Sequence, residues 1–219
     1  MSRVLPILFN TEMVRAILDS RKTVTRRVVK GNVDGILNSP YRNRDSGTPD
    51  NVLIGKLCKP PYQTGDILYV RETWSFLPCV ECMDEGPSCT VNPVVYDDGD
   101  CESEGCFVYK ASHPRPERVR WTPSIHMPKE AARIWLKVTG VRVERINDMT
   151  LDDFLREGIM IRPTAFNDPD NAHLQARSEF VELWDSTVRK PDLKHYSWDA
   201  NPWVWVIEFE RCEKPDEQR

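Results

Sequence analysis

Near its C-terminus the chain reads Trp203-Val-Trp-Val-Ile-Glu-Phe209, six apolar residues in seven, β-branched or aromatic throughout. Such a run fits neither a half-exposed strand, which alternates, nor the spacing of a surface helix. It reads as a strand buried on both faces. A strand of that kind needs cover on both sides, so the rest of the chain must supply neighbouring strands and packed helices. With 219 residues, 40% hydrophobic and 29% charged, the chain is long enough for that core and too apolar for disorder. We therefore expect a single domain over residues 1–219. No run of about 18 apolar residues is present, so no membrane partner is expected. The first ten residues hold one short apolar stretch and no small-residue cleavage pattern, which points to a cytoplasmic protein.

The first segment is well patterned. Residues 7–9 form a short apolar strand, and Asn10 or Thr11 can cap a helix with Glu12 in its first turn. Met13, Val14, Ile17 and Leu18 fall on one helical face. Residues 21–29 then alternate as an extended strand. Residues 30–64 are rich in Gly, Pro, Asn and Ser and read as a surface excursion, with the loop proper at 31–63. Residues 67–70 are a strand. Residues 133–146 read as two strands bent at Gly140. Thr150-Leu-Asp-Asp153 is a capping-box variant opening a short helix that stops at Gly158. A second helix spans 172–188, with Leu174, Val181, Trp184 and Val188 as its buried stripe. The expected fold class is α+β: a small mixed β-barrel with flanking helices and a Cys-rich loop insertion.

Charge is unevenly distributed. The net charge is −4, so a global basic footprint for nucleic acid is absent. Residues 15–30 nevertheless carry six basic residues against one acid, whereas residues 81–104 carry eight acids and no Lys or Arg. Residues 110–137 return to seven basic against two acidic. A positive working face with an acidic appendage follows.

The appendage, a Cys-rich acidic insertion over residues 76–118, has one expected strand at 107–110 and five of the seven cysteines. Cys79 and Cys82 form one pair, Cys101 and Cys106 another, separated by 18 residues. Two thiolate pairs suit a closed, structural zinc site, and Cys89 could replace one ligand; reduced, unligated thiols are the alternative. Cys58 and Cys212 stand apart.

Ile17-Leu-Asp-Ser-Arg-Lys-Thr-Val-Thr-Arg26 resembles the signature of ASCH domains, which are PUA-like barrels. Further blocks follow in the family's order: Thr64-Gly-Asp-Ile-Leu-Tyr-Val70, residues 136–145, the acidic helix at 150–158 and Trp205-Val-Ile-Glu-Phe209. The excursions at 31–63 and 76–118 exceed what the smallest members carry. The resemblance implies a protein that binds RNA or nucleosides, and its small bacterial members include N4-acetylcytidine amidohydrolases. Their catalytic Lys, Thr and Glu fall on Lys22, Thr25 and Glu157, with no cofactor required for catalysis.

Amide hydrolysis by such a set needs Thr25 as nucleophile, Lys22 as its base and Glu157 as acid for the departing nitrogen. Lys22 can act as base only when neutral, so burial or the cationic neighbours Arg21, Arg26 and Arg27 must lower its pKa. Lys22 and Thr25 are three apart and would face opposite sides of a flat strand, so a bend at Thr23-Val24 is required. The arginines with Lys30 also suit phosphates, and Tyr69, Trp74 and Trp121 could stack on a base. Glu72 could bond a base edge or pair with Arg71 or Arg26. His126, in a loop between two prolines, could line a pocket. The competing reading is a non-catalytic module that binds RNA or DNA, including a modified base.

Overall fold

A computed structural model describes residues 2–40, 47–78, 94–97, 102–113, 117, 119–162 and 168–215. In chain order the elements are β1 (Val4–Leu8), α1 (Thr11–Leu18), β2 (Val24–Val28), α2 (Val33–Leu37), α3 (Asp50–Leu57), β3 (Ile67–Arg71) and β4 (Trp74–Pro78). There follow β5 (Val94–Asp97), β6 (Glu102–Tyr109), β7 (Trp135–Arg145), α4 (Leu151–Arg156), α5 (Pro169–Thr187), α6 (Leu193–Tyr196) and β8 (Trp203–Cys212). The fold is mixed α and β, with a five-stranded sheet of order β1-β3-β7-β8-β2 and a three-stranded sheet of order β4-β6-β5.

Hydrogen bonds fix the strand directions. Ile67 N–H donates to Arg3 O and Phe9 N–H to Arg71 O, so β1 and β3 are parallel. Val138 N–H donates to Asp66 O and Val70 N–H to Ile134 O, which sets β7 antiparallel to β3. β2 is antiparallel to β8, with Thr25 opposite Ile207 and Arg27 opposite Trp205. β8 is the strand expected from its composition: Val204, Trp205, Val206, Ile207 and Phe209 are all buried.

The expected barrel is corrected to an open sheet. β1 and β2 are its edges, and no ladder joins them among the described residues. The reason lies at the β2 edge. Leading into that strand, Thr23 N–H donates to Arg156 O at the end of α4. At the entry to β2 the chain therefore meets a helix terminus rather than a further strand.

Two compact units make up the chain. The first is built from the described residues of Met1–Arg3, Ala16–Ile67 and Leu136–Cys212. Its core joins Val24, Val204 and Val206 to Ile146, Phe154, Ala172, Ala176, Phe180, Trp184 and Trp198. Phe154 packs on Phe180 at 5.4 Å and on Trp198 at 6.1 Å between ring centroids. Full burial of each such side chain contributes about 1.5–3 kcal/mol. The second unit takes in the described residues of Val4–Arg15, Leu68–Trp135 and Glu213–Arg219. There Phe107 of β6 meets Trp74 at 5.5 Å and Phe76 at 5.6 Å, edge-on in both cases.

Other local expectations change. Among its described residues, the excursion at 30–64 carries the helices α2 and α3, and α3 buries Leu53 and Ile54. The bend expected at Gly140 is absent; β7 is one strand. Its glycine is explained by close approach, since a Cβ there would lie 3.2 Å from Glu208 Oε2. Leu174 is 61% exposed, and the buried stripe of α5 is Ala172, Ala176, Phe180 and Trp184. Ala172 and Ala176 join Phe180 and Trp184 in the core cluster, and Leu174 points away from it.

Candidate functional site

Residues 20–23 and the end of α4 build the site together. Ser20, at φ 60°, turns the chain out of α1. On the other side, Thr150 opens α4 with a capping box to Asp153. The helix ends at Glu157, followed by Gly158 at φ 96°. A helix end leaves its last carbonyls without intrahelical partners. Three carbonyls at this end and just past it are satisfied by consecutive residues of the facing segment. Thr23 N–H donates to Arg156 O at 2.9 Å, Lys22 Nζ to Glu157 O at 3.0 Å, and Arg21 Nη1 to Gly158 O at 2.6 Å. Two cations at the negative end of a helix are favourably placed. Glycine at 158 permits the approach, because a Cβ there would lie 2.7 Å from Ala16 Cβ and 3.2 Å from Lys22 Cβ.

Lys22 is 2% exposed and Glu157 4%, and Lys22 Nζ stands 2.5 Å from Glu157 Oε2. The other carboxylate oxygen, Oε1, accepts from Arg26 Nη1 at 3.1 Å. Arg26, 2% exposed, also donates to Glu144 Oε1 from Nε and Nη2 at 2.9 and 2.7 Å, and to Asp153 Oδ1 at 2.7 Å. Every charge in this cluster has a partner, as burial demands. Burial pulls the Lys22 ammonium below its ordinary range; Glu157 opposes the shift, and Arg27 and Arg26 add to it. For Arg26, burial acts downward but Glu157 and Glu144 outweigh it, so its guanidinium is held above its ordinary value.

β2 begins at Val24, so Lys22 precedes the strand and stands outside its alternation. From there Val24 and Arg26 share one face, Thr25 and Arg27 the other. Thr25 is 1% exposed, and its Oγ1 accepts from Arg27 Nη1 at 3.1 Å. Burial pulls the Arg27 guanidinium down from its ordinary value, with Tyr62 and then Glu157 holding it up. Burial also raises the Tyr62 phenol, against the pull of Arg27. Tyr62 and Trp205, the cross-strand partner of Arg27, both line a cavity of about 410 Å³.

The remaining residues of the expected site fall elsewhere. Arg21 is half-buried and also bonds Asp19 at 3.0 Å. In the second unit, Tyr69 packs against Trp135 with centroids 6.0 Å apart. Glu72 pairs neither with Arg71 nor with Arg26; its two oxygens accept from Arg133 Nε and Nη2 at 2.9 and 3.0 Å. That pair is shielded by Tyr109, whose ring lies 4.0 Å from the Arg133 guanidinium carbon. Trp74 belongs to the aromatic contacts of β4 and β6, Trp121 meets His113 edge-on at 5.8 Å, and His126 is exposed in a single 3-10 turn.

Cys79, Cys82, Cys89 and Cys101 lie outside the described residues. Cys106 is buried in β6 opposite Leu77. Among the described residues, no group of three or more His, Cys, Asp or Glu is placed to hold a metal ion.

Sequence reasoning missed Glu144, Asp153 and Tyr62. Asp153 was legible only as a capping residue, and Glu144 only as one residue of an expected strand. Tyr62 lay in a segment read as loop. None carries a local signal of its partner, because Arg26 reaches Glu144 and Asp153 across 118 and 127 residues. Comparison with protein-family models, with curated proteins and with solved structures returns no match for this chain.

Proposed function

We propose that the chain is an ASCH-type protein of the PUA-like group, with its sheet open at the β1 and β2 edges, acting as an amidohydrolase on an N4-acylated cytidine. The observation that carries this reading is the buried contact of Lys22 Nζ with the Glu157 carboxylate, two residues 135 apart in sequence. Burial lowers the hold of this amine on its proton, which is the direction that service as a general base requires.

The reaction divides into two halves. Lys22 first passes its ammonium proton to the paired Glu157 carboxylate, and Thr25 Oγ then adds to the amide carbonyl carbon while its own proton passes to the resulting amine. The C–N bond then breaks, and the departing N4 nitrogen receives a proton through Glu157. The acyl group is left as an ester on Thr25, which water hydrolyses to release the carboxylic acid and restore the hydroxyl. Arg27, donating to Thr25 Oγ1, keeps the hydroxyl oriented. Docking of an extended nucleic acid is less well served, since Arg26 is interior and bound to three carboxylates.

The test is incubation with N4-acetylcytidine and chromatographic detection of cytidine and acetate. Turnover by the wild-type protein is expected. Loss of general base catalysis in Lys22→Met should lower it by at least about a hundredfold. Thermal unfolding of the variant checks that it remains folded. No wild-type turnover, or turnover untouched in folded Lys22→Met, overturns the reading.

A further inference from the structure

The cavity of about 410 Å³ lies wholly within the first unit, between the excursion and the sheet. From the excursion come Asn51 and Gly55 of α3 and the segment carrying Tyr62, Gln63 and Thr64; β7 and β8 supply Val143 and Trp205. Its size falls in the range of about 300–1,000 Å³ usual for small-ligand sites.

The lining chemistry is specific. Tyr62 offers an aromatic ring on which a flat ring can rest, and Trp205, 4% exposed, contributes a largely covered apolar surface beside it. Asn51 and Gln63 end in carboxamides, each presenting a donor and an acceptor side by side, the pattern that a heteroaromatic ring edge can complement. The one cation of the lining, Arg142, is already bound to Glu208 and lies 3.3 Å from Glu144 and 3.5 Å from Asp153. Its charge is neutralised, so the lining offers little attraction to a phosphate. Arg27 connects the cavity to the candidate nucleophile: it lies directly across from Trp205 of the lining in the β2–β8 ladder, and it donates to Thr25 Oγ1 at 3.1 Å.

We propose that this cavity is the binding site of an uncharged heteroaromatic ligand of nucleoside size, and that residues 51–64 form its specificity wall. The choice of nucleoside rests on the function proposed above; the location and the preference for a neutral ligand rest on the cavity itself. The excursion is then a selecting element that favours the free nucleoside over a nucleotide or a polymer.

Titration calorimetry of the full chain with cytidine, N4-acetylcytidine and cytidine monophosphate tests the proposal, alongside Gly55→Leu and Tyr62→Ala. A Cβ at Gly55 would lie 3.9 Å from Val143 Cγ2, in ordinary contact, so a leucine there fills the cavity without forcing the backbone apart. Replacing a helical glycine also favours the helix, which guards against unfolding. One of the two nucleosides is expected to bind, the phosphate to add no affinity, and each variant to weaken binding by at least about tenfold, or 1.4 kcal/mol.

Failure of both nucleosides to bind, or unchanged binding to folded Gly55→Leu, overturns the inference. So does cytidine monophosphate binding more than about tenfold tighter than cytidine. The hydrolase reading fails separately. If binding is seen and Gly55→Leu abolishes it, the cavity assignment stands even when no acyl group is released. If Gly55→Leu turns over N4-acetylcytidine with unaltered KM, the cavity assignment falls and the hydrolase survives.

Discussion

Replacing Arg26 with Met is the sharpest probe of the charge cluster, because the two side chains are similar in volume and differ in what they do to three carboxylates. Breaking a buried ion pair by removing one partner costs about 3–5 kcal/mol, since the remaining charge is left unpaired in a poor solvent. Here the loss is partly relieved. Lys22 still faces Glu157, and Arg142 remains near Glu144 and Asp153. The Glu144 and Asp153 side chains are also 18% and 15% exposed, so water reaches both. The lower end of the range applies, about 3 kcal/mol at neutral pH. For a chain of this size that is a fall in Tm of roughly 6–12 °C.

The pH dependence adds a second constraint. Burial alone would raise the Asp153 carboxyl, but hydrogen bonds from Thr150 and Arg26 outweigh it and hold the carboxyl below its ordinary value. A depressed carboxyl contributes stability that is complete above its unfolded pKa and is lost as pH falls through the folded one. In Arg26→Met that depression weakens, and protonation removes the unpaired charge. The variant's deficit should therefore shrink as pH falls from neutral toward the carboxylate range. Urea unfolding at neutral pH and near pH 4 measures both values. A neutral-pH deficit below about 1 kcal/mol, or one that grows with acid, would refute the account of Arg26 as the centre of this cluster.

Gly158→Ala forces a Cβ to 2.7 Å from Ala16 Cβ at a φ of +96°. The expected cost is about 2 kcal/mol, read by thermal unfolding; an unchanged Tm would mean that the α4 terminus is not tightly held against residues 16–22. The cysteine pairs of the insertion are expected to carry one structural zinc per chain. Metal analysis of purified protein that finds less than about half an equivalent would remove that assignment.

Much of the fold could be read directly from local pattern. α1, the Thr150 capping box, the stop at Gly158 and the doubly buried β8 each depend on residues close in sequence, so spacing and capping chemistry were enough. α3 was obscured by the Gly and Pro around it. What fixes that helix is burial of Leu53 and Ile54, a tertiary effect without a clear periodic signature. Leu174 was misplaced for a related reason: hydrophobicity favours the interior, but the face of α5 that joins the core cluster carries Ala172 and Ala176, and Leu174 points away from it. Openness of the sheet was likewise beyond local reading, because strand lengths do not say whether an edge meets a strand or a helix terminus. Residue types at the candidate site were visible; their partners were not. Glu157 was aligned to Lys22 only through the family resemblance, whereas Tyr62 and Glu144 lay in segments where nothing local marks them.

The segment at residues 21–23 performs two tasks that physical chemistry can separate. Capping α4 needs donors, and Thr23 N–H with Arg21 already supplies them to Arg156 and Gly158. A solvent-exposed lysine would complete that cap at little desolvation cost. Lys22 instead places its amine inside the protein, beside a carboxylate already bound by Arg26 and within the field of Arg27. Two cations converge on one buried carboxylate, an arrangement that costs more in desolvation than helix capping requires. Ionisable groups held against their solvation preference concentrate where chemistry is done. The surplus at Lys22 is what the proposed role as base accounts for and helix capping alone does not, and the cap would hold the amine in place for that role.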